Sequence, residues 1–134
     1  MFAETSITFA SEVEDGSQLS ESSHQSGHEA RRLVRKSIKE LSSQTVGVRY
    51  RAAEKLATCG GRAADAIDTL ETILLSDENA LVRKSAAFAL GEIGISTASD
   101  ALRHARDHDD DAFVRKMAAE SVQQLVPRAA LISL

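Results

Sequence analysis

The sequence predicts an all-α chain: an α-solenoid of about three two-helix repeats, preceded by a disordered N-terminal tail. Three observations carry this. The apolar residues make up 43% of the chain but are mostly Ala, Leu, Val and Ile, with aromatics at 4%, no Trp, one Pro and seven Gly. Small apolar residues with few breakers favour helices in close contact over sheets, which draw on β-branched and aromatic residues. Apolar residues recur at i, i+3, i+4 from residue 28 onward, the period of a half-buried helix. Finally, one segment returns three times, beginning Val48-Arg49, Val82-Arg83 and Val114-Arg115, each with Ala-Ala at its fifth and sixth positions. The starts lie 34 and 32 residues apart. A two-helix unit at that period cannot bury its apolar face alone and is stabilised by stacking on its neighbours.

The elements follow in order. Residues 1–27 carry five acids, no Lys or Arg and many serines, among them Ser11, Ser17, Ser20, Ser22, Ser23 and Ser26. Low hydrophobicity with charge of one sign does not offset the cost of ordering, so this segment reads as an acidic tail. Its scattered Phe2, Ile7, Phe9 and Val13 are a weak docking pattern. The folded domain is expected over 28–134. Its first stripe is Leu33, Val34, Ser37, Ile38 and Leu41, broken at Ser42-Ser43-Gln44. The second, Val48, Ala52, Ala53 and Leu56, stops at Gly60-Gly61, a helix-ending signal. The third runs Ala63, Ala66, Ile67, Leu70, Ile73 and Leu74 to the break Asp77-Glu78-Asn79. The fourth is Val82, Ala86, Leu90 and Ile93, ending near Gly94. The fifth is Ala98, Ala101, Leu102 and Ala105, ending at the polar run His108-Asp109-Asp110-Asp111. The sixth, Val114, Ala118, Val122 and Leu125, ends at Pro127.

Charge excludes several functions. The net charge is −4, which argues against a duplex nucleic-acid binder; only residues 28–55 are basic, with a net of +5. That basic stretch could meet the acidic tail, an acidic partner or RNA phosphates, or simply be a solvated face. No apolar run reaches the roughly 18 residues of a membrane span. A single Cys excludes an intrachain disulfide and a Cys-based metal cluster. No Lys or Arg precedes residue 31, so no basic leader is expected and the default compartment is cytoplasmic.

The repeat resembles the HEAT-like repeats, in the short form also found in phycobilisome lyase subunits. The carrying residues are Asp77, then Val82-Arg83, Ala86-Ala87 and Leu90-Gly91; Asp109 precedes Val114-Arg115 and Ala118-Ala119 at the same offset. The first unit keeps Val48-Arg49 and Ala52-Ala53, but Ser43 stands where Asp would be. The resemblance covers about residues 28–126. It implies that each Arg reaches an Asp in an adjacent unit, so Arg49, Arg83 and Arg115 with Asp77 and Asp109 form a structural ladder. An Asp before a helix can also cap free N–H groups. Lacking an Asp in the first unit, Arg49 is the arginine expected to be free.

Candidate chemistry is sparse. His104 and His108 stand at i, i+4, a spacing that can chelate a metal, with Asp107 and Asp109–Asp111 nearby. No third nitrogen ligand has a defined spacing, so neither metal nor cofactor is expected. The single His28-Glu29 pair falls short of the several that HEAT-like deoxyhypusine hydroxylases use. Cys59 near a helix C-terminus has no paired base. The chain is therefore expected to be a noncatalytic protein-interaction module or adaptor. A subunit of a lyase- or chaperone-like complex acting on a pigment-carrying protein is the alternative, implied by resemblance alone. At 100° per residue from Val82, Lys84, Phe88 and Gly91 fall on the side opposite the core. Across the repeats, Tyr50, Glu54, Lys84, Phe88, Lys116 and Glu120 form a two-row ribbon on the second helices, which line a concave face in related solenoids. This ribbon is the expected partner-binding surface, with Phe88 either its apolar anchor or part of the core. The partner and the oligomeric state are not encoded in any motif.

Overall fold

A computed structural model describes residues 15–125; the first fourteen and the last nine residues, with Phe2, Ile7, Phe9, Val13 and Pro127, lie outside them. The described residues hold six α-helices and no β-strand. Helix α1 spans Asp15–Glu40 and α2 Val46–Cys59. A 3-10 stretch, Gly60–Ala66, leads into α3, Ile67–Ser76. Then come α4, Ala80–Ile93, a 3-10 turn at Ser96–Ala98, α5, Ser99–His108, and α6, Ala112–Gln124. The chain divides into two units, Met1–Arg32 and Leu33–Leu134, and the division falls within α1. The helix thus starts ahead of the composition change at residue 27. A Ser- and Glu-rich stretch carries no apolar stripe by which the periodicity rule could find it.

In the second unit, the second helices of the three repeats form a row, with α4 packed against both α2 and α6. The first helices of the later repeats lie beside them, α3 on α4 and α5 on α6, and α3 also meets α5. The predicted stripes face inward. Val34, Leu41, Ala52, Ala53, Leu56, Leu70, Leu74, Ala86, Leu90, Leu102, Val114 and Ala118 share one core. Each fully buried Leu contributes about 1.5–3 kcal/mol relative to exposure.

The third and fifth helices are shorter than their stripes. Ala63, Ala66 and Ala98 are buried, yet they sit in 3-10 segments, and Ala63 has non-helical dihedrals (φ −93°, ψ 20°). One tight turn can present an apolar side chain to the core as an α-turn does, so periodicity alone cannot separate the two. At the end of α4, Gly94 takes the left-handed conformation (φ 76°, ψ 18°), and its N–H donates to the Leu90 carbonyl. This closes the helix in a way that a β-carbon would strain.

Helix α4 is covered on three sides, so its buried arc is wider than the stripe. Ser85, Ala89 and Gly91 are buried as well as Val82, Ala86, Leu90 and Ile93. Gly91 therefore does not lie on an open face, as its angle from Val82 had suggested. A β-carbon there would come within 2.6 Å of Ser121 Oγ and 2.8 Å of its Cβ on α6. The Ser121 hydroxyl is itself buried and donates to the Ala87 carbonyl at 2.7 Å. The α4–α6 crossing is close because a hydrogen-bonded Ser meets a residue without a side chain.

Candidate functional site

Two sets of side chains are candidates: the arginine ladder and the ribbon on the second helices. In the ladder, Arg49 donates from Nε and Nη2 to both carboxylate oxygens of Asp77, at 2.7 and 3.1 Å. Arg83 does the same to Asp109, at 2.9 and 3.1 Å. Each arginine also donates from Nη1 to a backbone carbonyl six residues earlier. The acceptors are Ser43 at 2.9 Å, Asp77 at 2.8 Å and Asp109 at 2.7 Å for Arg49, Arg83 and Arg115. Bidentate pairing holds a guanidinium in one plane. Each inter-repeat rung therefore ties the turn of one repeat to the turn of the next.

Two expectations are corrected here. Arg49 is not free: it is buried and paired. The missing Asp of the first unit affects only what could pair with an arginine before it. Arg115 is the arginine without a carboxylate partner among the described residues. Nor do Asp77 and Asp109 cap the following helices. Each accepts the N–H two residues on, from Asn79 and Asp111, both at 2.9 Å. The caps are Asn79, accepting from Leu81 and Val82, and Asp111, accepting from Phe113 and Val114. The short side chain two residues nearer the helix has the reach to its first free N–H groups. Ser43 keeps part of the pattern, since its hydroxyl accepts from the Thr45 N–H at 3.1 Å.

Burial works against ionisation of Asp109. The hydrogen bonds from Arg83 and the Asp111 N–H, with the charges of Arg83 and Arg115, nevertheless carry its carboxyl below its ordinary value.

The ribbon is partly assembled. Tyr50, Glu54, Lys84 and Phe88 surround one groove of about 230 Å³, closed on its other flank by Leu81 and Met117. Phe88 is 37% exposed, so it is not core. Lys116 and Glu120 are exposed on α6 but do not line this groove. Hydrogen bonding to Glu54 one turn on, and its charge, push the Tyr50 phenol above its ordinary value.

The sequence reading missed Leu81, Phe113 and Met117. Leu81 is 49% exposed and Phe113 69%. Together with Lys84 they line a second hollow of about 230 Å³, so the two depressions share Leu81 and Lys84. A signal for them existed. Leu81 and Phe113 occupy the same repeat position, immediately before Val-Arg, where the first unit has Gly47. At 100° per residue, Leu81 lies next to Phe88 on the helix circumference. Its place in the first turn after the break at Asn79 puts it outside the apolar stripe that starts at Val82.

The histidines stand apart from this surface. His104 and His108 stack with ring centroids 4.5 Å apart, and the Nδ1 of His108 lies 3.2 Å from the His104 carbonyl. They border a polar hollow of about 240 Å³ with Asp77, Arg83 and Asp109, whose charges are spent on the ladder. Among the described residues no three His, Cys, Asp or Glu side chains stand together as a metal site would require. None of the described helices is long and apolar enough to cross a membrane.

The sequence profile of HEAT repeats matches residues 34–123, well over half of the chain. The chain belongs to the HEAT-repeat family. The match is to HEAT repeats as such and carries no finer subfamily. No curated protein sequence matches the chain. HEAT repeats generally mediate protein–protein interaction.

Proposed function

We propose that this HEAT-repeat protein is a noncatalytic adaptor that binds another protein along its second-helix face. One observation carries the reading: Phe88, Leu81 and Phe113 are all exposed and adjoin one another across two hollows that meet at Leu81 and Lys84. An apolar centre with Glu54 and Lys84 at its margin has the anatomy of an interface. Apolar side chains of the partner seat between the aromatic rings, and Lys84 meets a partner carboxylate. Lys116 and Glu120 belong to the outer rim.

Affinity capture from the native host, with mass spectrometry of what is retained, tests this on the wild type and Phe88→Ala. Truncating an anchor of this kind costs at least about 2 kcal/mol of binding, some thirtyfold in affinity. The retained set should vanish with Phe88→Ala while the melting temperature stays put. Lys84→Glu should weaken capture in a salt-dependent way, because rim charges act through screened attraction. A Phe88→Ala protein that melts early yet retains the same partners removes Phe88 from the site.

A further inference from the structure

We propose that His104 and His108 form an exchangeable site for a divalent transition ion of the class that imidazole favours: Zn²⁺, Ni²⁺ or Cu²⁺. The i, i+4 spacing puts two side chains on one helix face but says nothing of how they are held. The structure adds three observations. The rings are already together, with centroids 4.5 Å apart and planes inclined by 28°. His108 is also oriented. Its Nδ1 lies 3.2 Å from the His104 carbonyl, which can only accept, so this nitrogen carries the proton and Nε2 of the neutral ring keeps its lone pair. A ring N–H held by a backbone carbonyl is what fixes the tautomer of metal-ligating histidines. Finally, the pair borders the polar hollow of about 240 Å³, which leaves room for further ligands on the ion. Both histidines are exposed, so rotation about their side-chain torsions can bring the two free nitrogens to the about 3 Å that a pair of metal–nitrogen bonds of about 2.0–2.1 Å spans.

The charges around the hollow favour a cation. Arg83 is neutralised by Asp109, and Arg106 by Asp107. Asp110 lines the hollow, is exposed and has no ion-pair partner among the described residues, so its field attracts cations. It is not a ligand, since no third group stands with the two histidines among the described residues. A site that retains its ion needs three or four protein ligands. Two chelating imidazoles make one that exchanges it, with the remaining positions left to water or to a group from outside the chain. The site stands apart from the groove around Phe88 and does not depend on the adaptor reading.

Calorimetric titration of the full chain with Cu²⁺ and, separately, Zn²⁺ tests this, in a buffer that does not bind metal. His24 and His28 have the same spacing, so the titrations are run in a chain that carries His24→Gln and His28→Gln. One ion per chain is expected there, with Cu²⁺ bound more tightly than Zn²⁺. Adding His104→Gln or His108→Gln should each weaken binding by more than the roughly tenfold that losing an outer hydrogen-bond partner of a ligand costs. Saturating Zn²⁺ should raise the melting temperature of the chain that keeps His104 and His108, because the folded helix sets the pair. It should leave the His108→Gln chain where it was. Melts without metal check that both variants keep the fold. Absence of binding by either ion, or binding indifferent to His108→Gln, overturns the proposal. So does equally tight binding of Mg²⁺, which prefers oxygen and would report the carboxylates instead.

Discussion

At the scale of single residues, Asp109 does the most. It accepts from Arg83, receives the Asp111 N–H and offers its own carbonyl to Arg115. Its carboxyl is held below the ordinary value, so the unfolded chain takes up a proton at higher pH than the folded one. The stabilisation is full above the unfolded value of about 4 and is lost as pH falls through the lower, folded value. Urea midpoints at pH 7 and pH 3 should show a smaller acid-induced fall for Asp109→Asn than for the wild type. Equal falls would place the acid sensitivity elsewhere. At neutral pH, Asp109→Ala should lower stability by about 1–3 kcal/mol, the cost of leaving a half-buried charged donor unpaired. The sequence pattern showed these residue types as a recurring offset of six from Asp to Arg within a repeat, whereas the ion pair runs from Arg83 to the Asp109 of the next repeat. It could not tell cap from clamp, because Asp77 and Asn79, or Asp109 and Asp111, are equally good capping types two positions apart. Only backbone geometry decides which one reaches the free N–H groups.

At the scale of elements, helix positions were legible wherever an apolar stripe met a polar break. The stripes over Val82–Ile93 and Val114–Leu125 needed no structure to be placed. The 3-10 entries at Gly60–Ala66 and Ser96–Ala98 were not legible, since Ala63 and Ala98 are buried under either geometry. The crossing of α4 over α6 was hidden for a different reason: a glycine within a helix signals nothing until its neighbour is known. Gly91→Ala should lower stability by roughly 1–3 kcal/mol, as overpacking does. Chemical denaturation checks this, with Ser121→Gly in the same chain expected to restore part of the loss. A Gly91→Ala protein as stable as the wild type would mean that the helices separate freely. The exposed Leu81 and Phe113 were missed because their row is apparent only once the three repeats are compared residue by residue, starting one position before Val-Arg.

At the scale of the whole molecule, the all-helical repeat architecture was present in the recurrence itself. Periodicity, composition and the Val-Arg-x-x-Ala-Ala segment all point the same way, and that agreement across levels is what specifies a fold. The candidate site was only half legible. Tyr50, Glu54, Lys84 and Phe88 come from repeat alignment, whereas the pairing of Arg49 depends on which layer lies next to it. The core of the described residues begins at Val34, and on that ground residues 1–27 are expected to be dispensable. A chain starting at residue 28 should keep a cooperative melt at an unchanged temperature, measured by circular dichroism. Loss of cooperativity would move the boundary into the segment before it.

The absent side chain at Gly91 has a reach beyond the crossing it permits. Lys84 and Phe88 sit on α4 and Met117 on α6, so the width of the groove between them is hinged on the same two helices that touch at Gly91 and Ser121. A single methyl group at residue 91 would act as a wedge on one flank and alter the jaw on the other. Selection can thus retune what this surface grips through a position that never meets the partner.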